Sequence, residues 1–347
     1  FQTMSYSLDV YRKNLTPTKD LIAFSAFVSF FPQLVAGPIE RASNLLPQFC
    51  KNREFNYQKA IDGLRQILWG LFKKVVVADN AAYFVNIIFN DYENLNGSTL
   101  LFGAFLFAFQ IYGDFSGYSD IAIGTARLFG FDLMRNFAFP YFSRDIAEFW
   151  RRWHISLSTW FRDYLYIPLG GSKGGINMKI RNTIIIFLVS GFWHGANWTF
   201  LAWGLLNALY FLPIMLTKKN RLNTNIVAEN RLLPNVKEVF QIGITFFITL
   251  IAWVFFRSNT ITDALIYLRR MFNEHPLSPP DYFSKKALLF IFILVITEWF
   301  QRKKQHALEL SAGNKCPSFV RWGLYLVIIF TIFLFSGEQQ AFIYFQF

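Results

Sequence analysis

Apolar runs of bilayer length recur along this chain of 347 residues and constrain its fold more than any other feature. A membrane-spanning helix needs about 17–25 mostly apolar residues. The runs that approach this length are 21–36, 61–90, 98–113, 118–131, 182–198, 199–216, 238–256, 287–300 and 322–336. Charged residues make up only 16% of the chain, against about 25% in soluble domains. The sequence therefore predicts an all-α, polytopic integral membrane bundle.

Polar residues interrupt two of these runs. Lys73 and Lys74 fall inside the run 61–90, which we predict to be amphipathic or only partly embedded. The glycine-rich segment Gly113-Asp-Phe-Ser-Gly117 is predicted to break the next helix, so that 118–131 continues as a second piece.

Carboxylates near this predicted break need partners. Asp114 and Asp120 would lie at membrane depth, where a buried charge is costly unless it is paired. We expect a structural ion pair for each, with Arg127 or an arginine of 144–152 as the partner. Asp114 and the neighbouring Tyr118 are also candidate substrate-binding residues.

The formal net charge of +12 comes from short basic clusters between the apolar runs. These clusters lie in 37–59, 135–181, 217–237 and 302–321. The positive-inside rule places such loops in the cytoplasm, which leaves 90–97 and the C-terminal tail outside. The basic loop 257–286 does not fit this scheme, and we expect an interfacial amphipathic helix around Thr262–Phe272 there. Nucleic-acid binding is not expected, because no basic soluble domain is present.

The first residues indicate where the chain begins in the protein, and the cysteines bear on disulfides and metal ligands. The chain opens at Phe1 without a signal-like segment. We interpret it as beginning partway through a longer protein, after further membrane helices. Cys50 and Cys316 match neither a disulfide framework nor a metal-ligand pattern.

His194 lies at the end of one of the uncharged apolar runs. An ionisable side chain in such a run is costly, so we treat His194 as a candidate functional residue. At helical pitch Ser190, His194 and Asn197 share one face. Gly191 and Gly195 leave bare backbone beside the imidazole. The alternative interpretation is a GxxxG-type helix contact with the histidine hydrogen-bonded inside the bundle.

A second histidine lies in a strongly aromatic segment that begins at Glu148. At about 100° per residue, one face of the predicted helix carries Trp150, Trp153, His154, Leu157, Trp160, Phe161 and Tyr164. Arg151 and Arg152 point the other way, toward head groups or water. An interfacial helix with an aromatic belt explains the tryptophans and arginines. It does not explain a histidine on the buried side.

Two histidines on separate segments suit general-base catalysis. A neutral imidazole can take the proton of an alcohol that attacks a thioester. Asn197 or Ser190 could orient this base or donate to the oxyanion. A metal site is not expected, because the histidine, cysteine and carboxylate spacings match no zinc or iron pattern. A serine hydrolase is not expected either, because no Gly-x-Ser-x-Gly elbow occurs.

Other polar segments are not expected to carry the reaction. The loop Gly170–Gly175 lacks the spacing of a nucleotide-binding loop, although its free amides and Lys173 could contact a phosphate. The segment Gly37-Pro-Ile-Glu-Arg41 is interpreted as a helix terminus with a local ion pair. His275 and His306 lie in polar loops and are expected to be solvated.

Two long motifs resemble the membrane-bound O-acyltransferase (MBOAT) family, closest to its bacterial alginate O-acetyltransferase-like branch. They are Phe149-Trp-Arg-Arg-Trp-His-Ile-Ser-Leu-Ser-Thr-Trp-Phe-Arg-Asp-Tyr-Leu-Tyr-Ile-Pro-Leu-Gly-Gly171 and Ser190-Gly-Phe-Trp-His-Gly-Ala-Asn-Trp198. Shorter similar segments begin at Phe31, Asp114 and Phe342, the last running to Phe347. The resemblance extends nearly end to end over one domain, residues 1–347. The family carries additional N-terminal helices that this chain lacks.

The resemblance implies a helical bundle around a central tunnel and transfer of an acyl group to a hydroxyl. It makes His194 the essential base and places His154, at a position that is Asn or His depending on the branch, beside it. Trp193, Asn197 and the aromatic face would line the tunnel. Arg151, Arg152 and Lys173 would favour an anionic cytoplasmic donor, expected to be acetyl-CoA, with no bound cofactor.

The implied setting is the bacterial inner membrane and O-acetylation of an exopolysaccharide or cell-envelope polymer. The acceptor would be a polysaccharide or protein hydroxyl, and a periplasmic acetyltransferase partner is expected. Two alternatives stay open. One is a D-alanyl transferase of the same family that uses a carrier-protein thioester. The other is a proton-coupled transporter, which is disfavoured because no repeated half with a matching broken helix is visible.

Overall fold

The computed structural model describes residues 1–310, 317–338, 340 and 342–343, and its regular structure there is helical. Cys316 and the last four residues of the Phe342–Phe347 motif lie outside the described residues. The α-helices are α1 Gln2–Tyr11, α2 Leu21–Val28, α3 Ala42–Phe49, α4 Tyr57–Leu71, α5 Asp79–Asn90, α6 Gly97–Leu128, α7 Ile146–Arg152, α8 Ile155–Phe161, α9 Gly175–His194, α10 Trp198–Leu216, α11 Val236–Arg257, α12 Ile261–Asn273, α13 Lys285–Phe300 and α14 Ser318–Leu334. Shorter helical segments are the π-helical Phe72–Ala78 and Arg162–Tyr166 and the 3₁₀ turn Pro140–Phe142.

Three of these helices, α6, α10 and α11, are long and apolar enough to cross a membrane by length and composition. The apolar window of α6 is 83% buried, whereas those of α10 and α11 are 39% and 44% buried. Helix α6 is therefore the centre of the bundle, and the other two expose more of their apolar surface. The apolar run 21–36 is not one spanning helix, because α2 ends at Val28 and turns follow from Phe31.

The prediction of a break at Gly113–Gly117 is wrong, because α6 runs unbroken over 32 residues. Its glycines instead permit close contact with α4 and the π-helical segment Phe72–Ala78. A Cβ at Gly113 would lie 2.9 Å from the carbonyl oxygen of Lys73, and one at Gly117 would lie 2.8 Å from that of Gly70. Small residues let two helix backbones approach in this way. The glycines mark a helix–helix contact and not a helix end.

The lysines of the run 61–90 sit at this contact. They do not interrupt the helix, because α4 passes through the π-helical segment directly into α5. Lys73 is buried and pairs with Asp120 at 2.6 Å, and Lys74 pairs with Asp114 at 2.7 Å. Both aspartates are thus ion-paired as expected, but the predicted partner is wrong, since Arg127 pairs with Asp62.

The loop that did not fit the charge pattern contains the expected amphipathic helix. Helix α12 buries Ala264, Tyr267 and Met271 and exposes Leu265 and Phe272. Its first turn is held by reciprocal hydrogen bonds between Thr260 and Asp263, a capping box.

Candidate active site

His194 is the last residue of α9, at the point where the chain turns back into α10. The two helices touch closely because Gly191 has no side chain, and a Cβ there would overlap the carbonyl group of Phe200. The glycine-mediated helix contact of the alternative interpretation is therefore present at Gly191. The imidazole lies edge-to-face with Trp203 and Phe256, at ring-centroid distances of 5.2 and 5.0 Å.

His154 lies between α7 and α8 with φ 43° and ψ 55°, in the left-handed region. The prediction of one continuous helix through 148–165 is therefore wrong. Two backbone hydrogen bonds explain the break, one from Ala138 to Arg152 and one from Ile155 to Asn136, each 2.9 Å long. They tie both sides of the break to the segment 136–138. The side chain of His154 is buried, and its ring packs edge-to-face on Phe115.

Asn136 fixes which ring nitrogen of His154 carries the proton. Its Oδ1 lies 2.9 Å from His154 Nδ1 and also accepts from the Ser156 hydroxyl at 2.9 Å. Its Nδ2 donates to the Ser119 hydroxyl at 3.1 Å. A carboxamide oxygen can only accept, so Nδ1 must donate, and a neutral ring then has Nε2 as its acceptor. His154 can therefore accept a hydrogen bond through Nε2.

Both histidines line a cavity of about 480 Å³. Its inner wall is aromatic, and Ser190 also faces it. Lys179, Lys218 and Arg221 lie at its basic end, Arg162 also lines it, and no carboxylate is present among its described lining residues. Lys179 precedes His194 by fifteen positions on α9, a distance of about 22 Å at 1.5 Å per residue. The cavity is thus a long apolar passage with cations at one end and two imidazoles at the other.

A smaller cavity of about 300 Å³ lies on another side of His154. Trp193, Phe115 and the turn 33–39 form its walls. His154 is the only described residue that lines both cavities. Its ring therefore separates the two spaces.

Asn197 does not share a face with Ser190 and His194, so that prediction is wrong. Helix α9 ends before it, and Asn197 instead caps α10. Its side chain accepts from the Thr199 amide at 3.1 Å and donates to the Asn259 carbonyl at 2.9 Å. It lines neither of the two cavities around the histidines.

The arginines assigned to the donor are engaged in structural contacts. Arg152 pairs with Glu148 at 2.8 Å, and Arg151 donates to the carbonyls of Asn220 and Asn223. They hold the loop after α10 against α7. Lys173 is exposed in the turn before α9 and does not line the larger cavity.

The remaining candidates also lie outside the two cavities. Asp114 is engaged by Lys74 and by the backbone amide of Ile343. The Tyr118 ring packs on Phe342 at 5.4 Å. Among the described residues, no group of three or more His, Cys, Asp or Glu side chains could hold a metal ion.

The other two histidines differ from each other. His275 is exposed, as expected. His306 is buried, and its Nε2 lies 3.0 Å from Asp62 Oδ1, so the expectation that it is solvated is wrong. The local ion pair predicted at 37–41 is also absent from the described contacts, because Arg41 pairs with Asp163.

Three features of the site escaped the sequence reasoning. Asn136 and the cation set Lys179, Lys218 and Arg221 lie in no local motif, and Gln33 lies in the family-like segment 31–41 but was not predicted as a site residue. Asn136 lies in an irregular, phenylalanine-rich stretch, which has neither helical nor strand periodicity. Only the lysines and arginines gave a signal, since they lie in the loops predicted to be cytoplasmic.

Known proteins are similar to this chain over most of its length. The family model of the membrane-bound O-acyltransferase family matches residues 11–256, more than half of the chain. The Pseudomonas aeruginosa protein named probable alginate O-acetylase AlgI is 42% identical over 273 residues, which are 79% of this chain and 50% of that protein. The Helicobacter pylori peptidoglycan O-acetyltransferase is 35% identical over 350 residues, covering 93% of this chain and 64% of that protein.

A more distant relative is the teichoic acid D-alanyltransferase of Streptococcus thermophilus. It is 31% identical over 224 residues, covering 58% of this chain and 52% of that protein. The chain spans about half the length of the alginate O-acetylases that it matches. On the family model and these identities, the chain belongs to the membrane-bound O-acyltransferase family.

Proposed function

We propose that this protein is an O-acetyltransferase of the bacterial inner membrane that acylates a hydroxyl group of an exopolysaccharide or another cell-envelope polymer. The observation that carries the proposal is the position of His194. It lies with His154 at the inner end of a long apolar cavity whose other end is cationic. The relatives named for alginate and peptidoglycan acetylation support the same reaction class.

In the proposed reaction His194 is the general base. It takes the proton of the acceptor hydroxyl as that oxygen attacks the thioester carbonyl carbon. The new ester C–O bond forms, the C–S bond breaks, and the proton passes to the leaving thiolate. An imidazole suits this step because it takes up and releases protons near neutral pH.

The shape and charge of the larger cavity suit a long donor with an anionic end. Lys179, Lys218 and Arg221 would attract phosphates, and the aromatic walls would exclude water from the thioester. These three residues replace Arg151, Arg152 and Lys173 as the favoured donor contacts. Acetyl-CoA has this chemistry, and a carrier-protein thioester, the donor of the D-alanyl transferase alternative, shares the reactive thioester group.

Replacement of His194 tests the function. The variant His194→Gln keeps a polar side chain without a base, and we expect acetyl ester on the cell surface to fall about 10²- to 10⁴-fold. The matched control is His275→Asn, which changes an exposed loop histidine at a positive φ that Asn tolerates. Undiminished acetylation by His194→Gln at a normal protein level would refute the proposal.

The donor class is tested separately. Membrane vesicles that contain the full chain would be supplied with acetyl-CoA or with a D-alanyl-loaded carrier protein. We expect acyl transfer from acetyl-CoA. Transfer from the carrier alone would assign the protein to the D-alanyl branch with the same base.

A further inference from the structure

The smaller cavity is formed by a short turn of the chain beside the two histidines. The turn is closed by a hydrogen bond from the Gly37 amide to the Gln33 carbonyl at 3.1 Å. Gly37 is required there, because a Cβ at this position would overlap the backbone of Gln33. The turn therefore holds Gln33 in a fixed place on the cavity wall.

Gln33 is a buried polar side chain without a partner. Only 6% of its surface is exposed, and neither Oε1 nor Nε2 has a hydrogen-bond partner within the described part of the chain. A buried carboxamide left unpaired costs free energy, so nearly all such groups in proteins bind another group. Because Gln33 lines the smaller cavity, a ligand in that cavity can supply the partner.

The opposite wall supplies a second polar group. His154 lines the same cavity, and its Nδ1 is taken by Asn136. Its Nε2 has no hydrogen bond to the described residues and is fixed as an acceptor. A ligand hydroxyl that donates to Nε2 from the smaller cavity would lie at the boundary with the larger one, where His194 is found.

The other lining residues, which include Phe1 and Gln2, have uncharged side chains. No side chain with a formal charge is present among the described lining residues, and Phe115 and Trp193 provide aromatic surface. Binding sites for small molecules commonly combine such surface with a few polar groups that fix orientation. A carboxamide both donates and accepts, which matches neighbouring hydroxyl groups on a sugar ring.

We propose that the smaller cavity binds the acyl acceptor as a hydroxyl-bearing saccharide unit, with Gln33 hydrogen-bonded to its hydroxyl groups and His154 Nε2 accepting from a neighbouring hydroxyl, so that the hydroxyl to be acylated is presented to His194. This inference rests on the proposed function and assigns the second substrate to a separate space. The donor enters through the larger cavity, and the two substrates meet at the His154 boundary. Gln33 is then a specificity residue for the acceptor.

The test compares binding of saccharide probes by the full chain in lipid nanodiscs. The probes are alginate oligosaccharides and a peptidoglycan disaccharide, and the variant is Gln33→Leu, which removes both hydrogen-bonding groups at similar size. We expect the better-binding saccharide to bind roughly 10- to 100-fold more weakly, as for the loss of one or two buried hydrogen bonds. The Michaelis constant for that acceptor should rise by a similar factor, and the constant for acetyl-CoA should not change.

The matched control is Gln110→Leu. Gln110 is also a buried glutamine, but it lies on α6 and lines neither cavity. We expect this control to leave acceptor binding unchanged. An equal loss in both variants would show that Gln33 supports the fold, and the proposal would be overturned.

The two proposals fail in different ways. If His194→Gln abolishes transfer while Gln33→Leu leaves acceptor binding and its Michaelis constant unchanged, only the acceptor site is refuted. If neither saccharide probe binds the unaltered protein saturably, the acceptor site is refuted as well. If His194→Gln transfers normally, the general-base role of His194 in the proposed function fails.

Discussion

The contact between α6 and the π-helical segment Phe72–Ala78 places polar groups inside the bundle, and so do the cavities around His154 and His194. The polar groups are paired differently in the two regions. At the helix contact each carboxylate has a cation close by, with Lys73–Asp120 at 2.6 Å and Lys74–Asp114 at 2.7 Å. Around the two histidines, His154 and Gln33 carry no opposite-charge partner among the described ion pairs, and together with His194 they line the cavities.

This difference distinguishes polar groups that stabilise the fold from polar groups that can bind or act on a substrate. A buried ion pair offsets its own desolvation only if both partners stay in place, so it suits a fixed helix contact. An imidazole that faces a cavity can exchange its hydrogen-bond partner for a substrate. Burial of a charged side chain therefore does not distinguish the candidate site from a helix contact, whereas a polar group that lines a cavity does.

The strongest test of this distinction removes one member of an ion pair. In Lys73→Met the Asp120 carboxylate loses its cation and keeps only the hydrogen bond from Gln66, and we expect the free energy of unfolding to fall by about 3–5 kcal/mol. Unfolding of the purified protein in mixed micelles measures this loss. Acetyl transfer per folded molecule should be little changed.

Two variants accompany that measurement. Lys219→Met removes an exposed lysine and should leave stability within about 0.5 kcal/mol of the unaltered protein. The double variant Lys73→Met with Asp120→Asn should recover part of the loss, because no carboxylate is left unpaired. Full stability of Lys73→Met with lost activity would reverse the roles assigned to the two regions.

A smaller effect is expected from replacing Asn136, whose side chain holds the His154 ring in place. In Asn136→Leu the ring loses the acceptor that holds the proton on Nδ1, so Nε2 is no longer fixed as an acceptor. We expect acetyl transfer to fall by about 10- to 100-fold, similar to the loss of an orienting partner of a metal-bound histidine. Steady-state rates with both substrates measure it.

The graded control for this prediction is Ser119→Ala, which removes only the outer hydrogen bond to Asn136. It should reduce transfer by less than Asn136→Leu does. An equal effect on the two variants, together with equal loss of stability, would mean that the network serves packing alone.

The smallest effect is expected at Asn197. Asn197→Ala removes the cap of α10 and should lower the free energy of unfolding by about 1 kcal/mol. Asn197→Asp keeps an acceptor for the Thr199 amide and should retain most of that stability. A fall in turnover without a change in stability would restore the predicted oxyanion role of Asn197.

The apolar runs predicted much of the fold, because an apolar run of bilayer length is expected to form a helix. Helices α10, α11 and α12 lie close to their expected positions. The continuity of α6 was missed because glycine weakens an isolated helix, whereas here the same residues permit a close contact that only the tertiary structure shows. The burial of His306 was missed for the same reason, since its partner Asp62 is distant in sequence.

The site was predicted in part. His154 and His194 stood out because an imidazole in an aromatic or apolar segment is unusual, and both line the larger cavity. The support from Asn136 could not be predicted, because it depends on hydrogen bonds between the segment 136–138 and the break at His154. Gln33 could not be predicted either, since a glutamine after an apolar run gives no sign of which space it faces.

The left-handed backbone at His154 restricts which residues evolution can place there, before any chemistry is considered. Most side chains with a Cβ are disfavoured at φ 43°, and β-branched residues most of all. Histidine, asparagine and aspartate are the ones enriched in this region. The choice of Asn or His that the family resemblance implies at this position is therefore one that the backbone itself permits. An aliphatic replacement would disturb the turn as well as the chemistry.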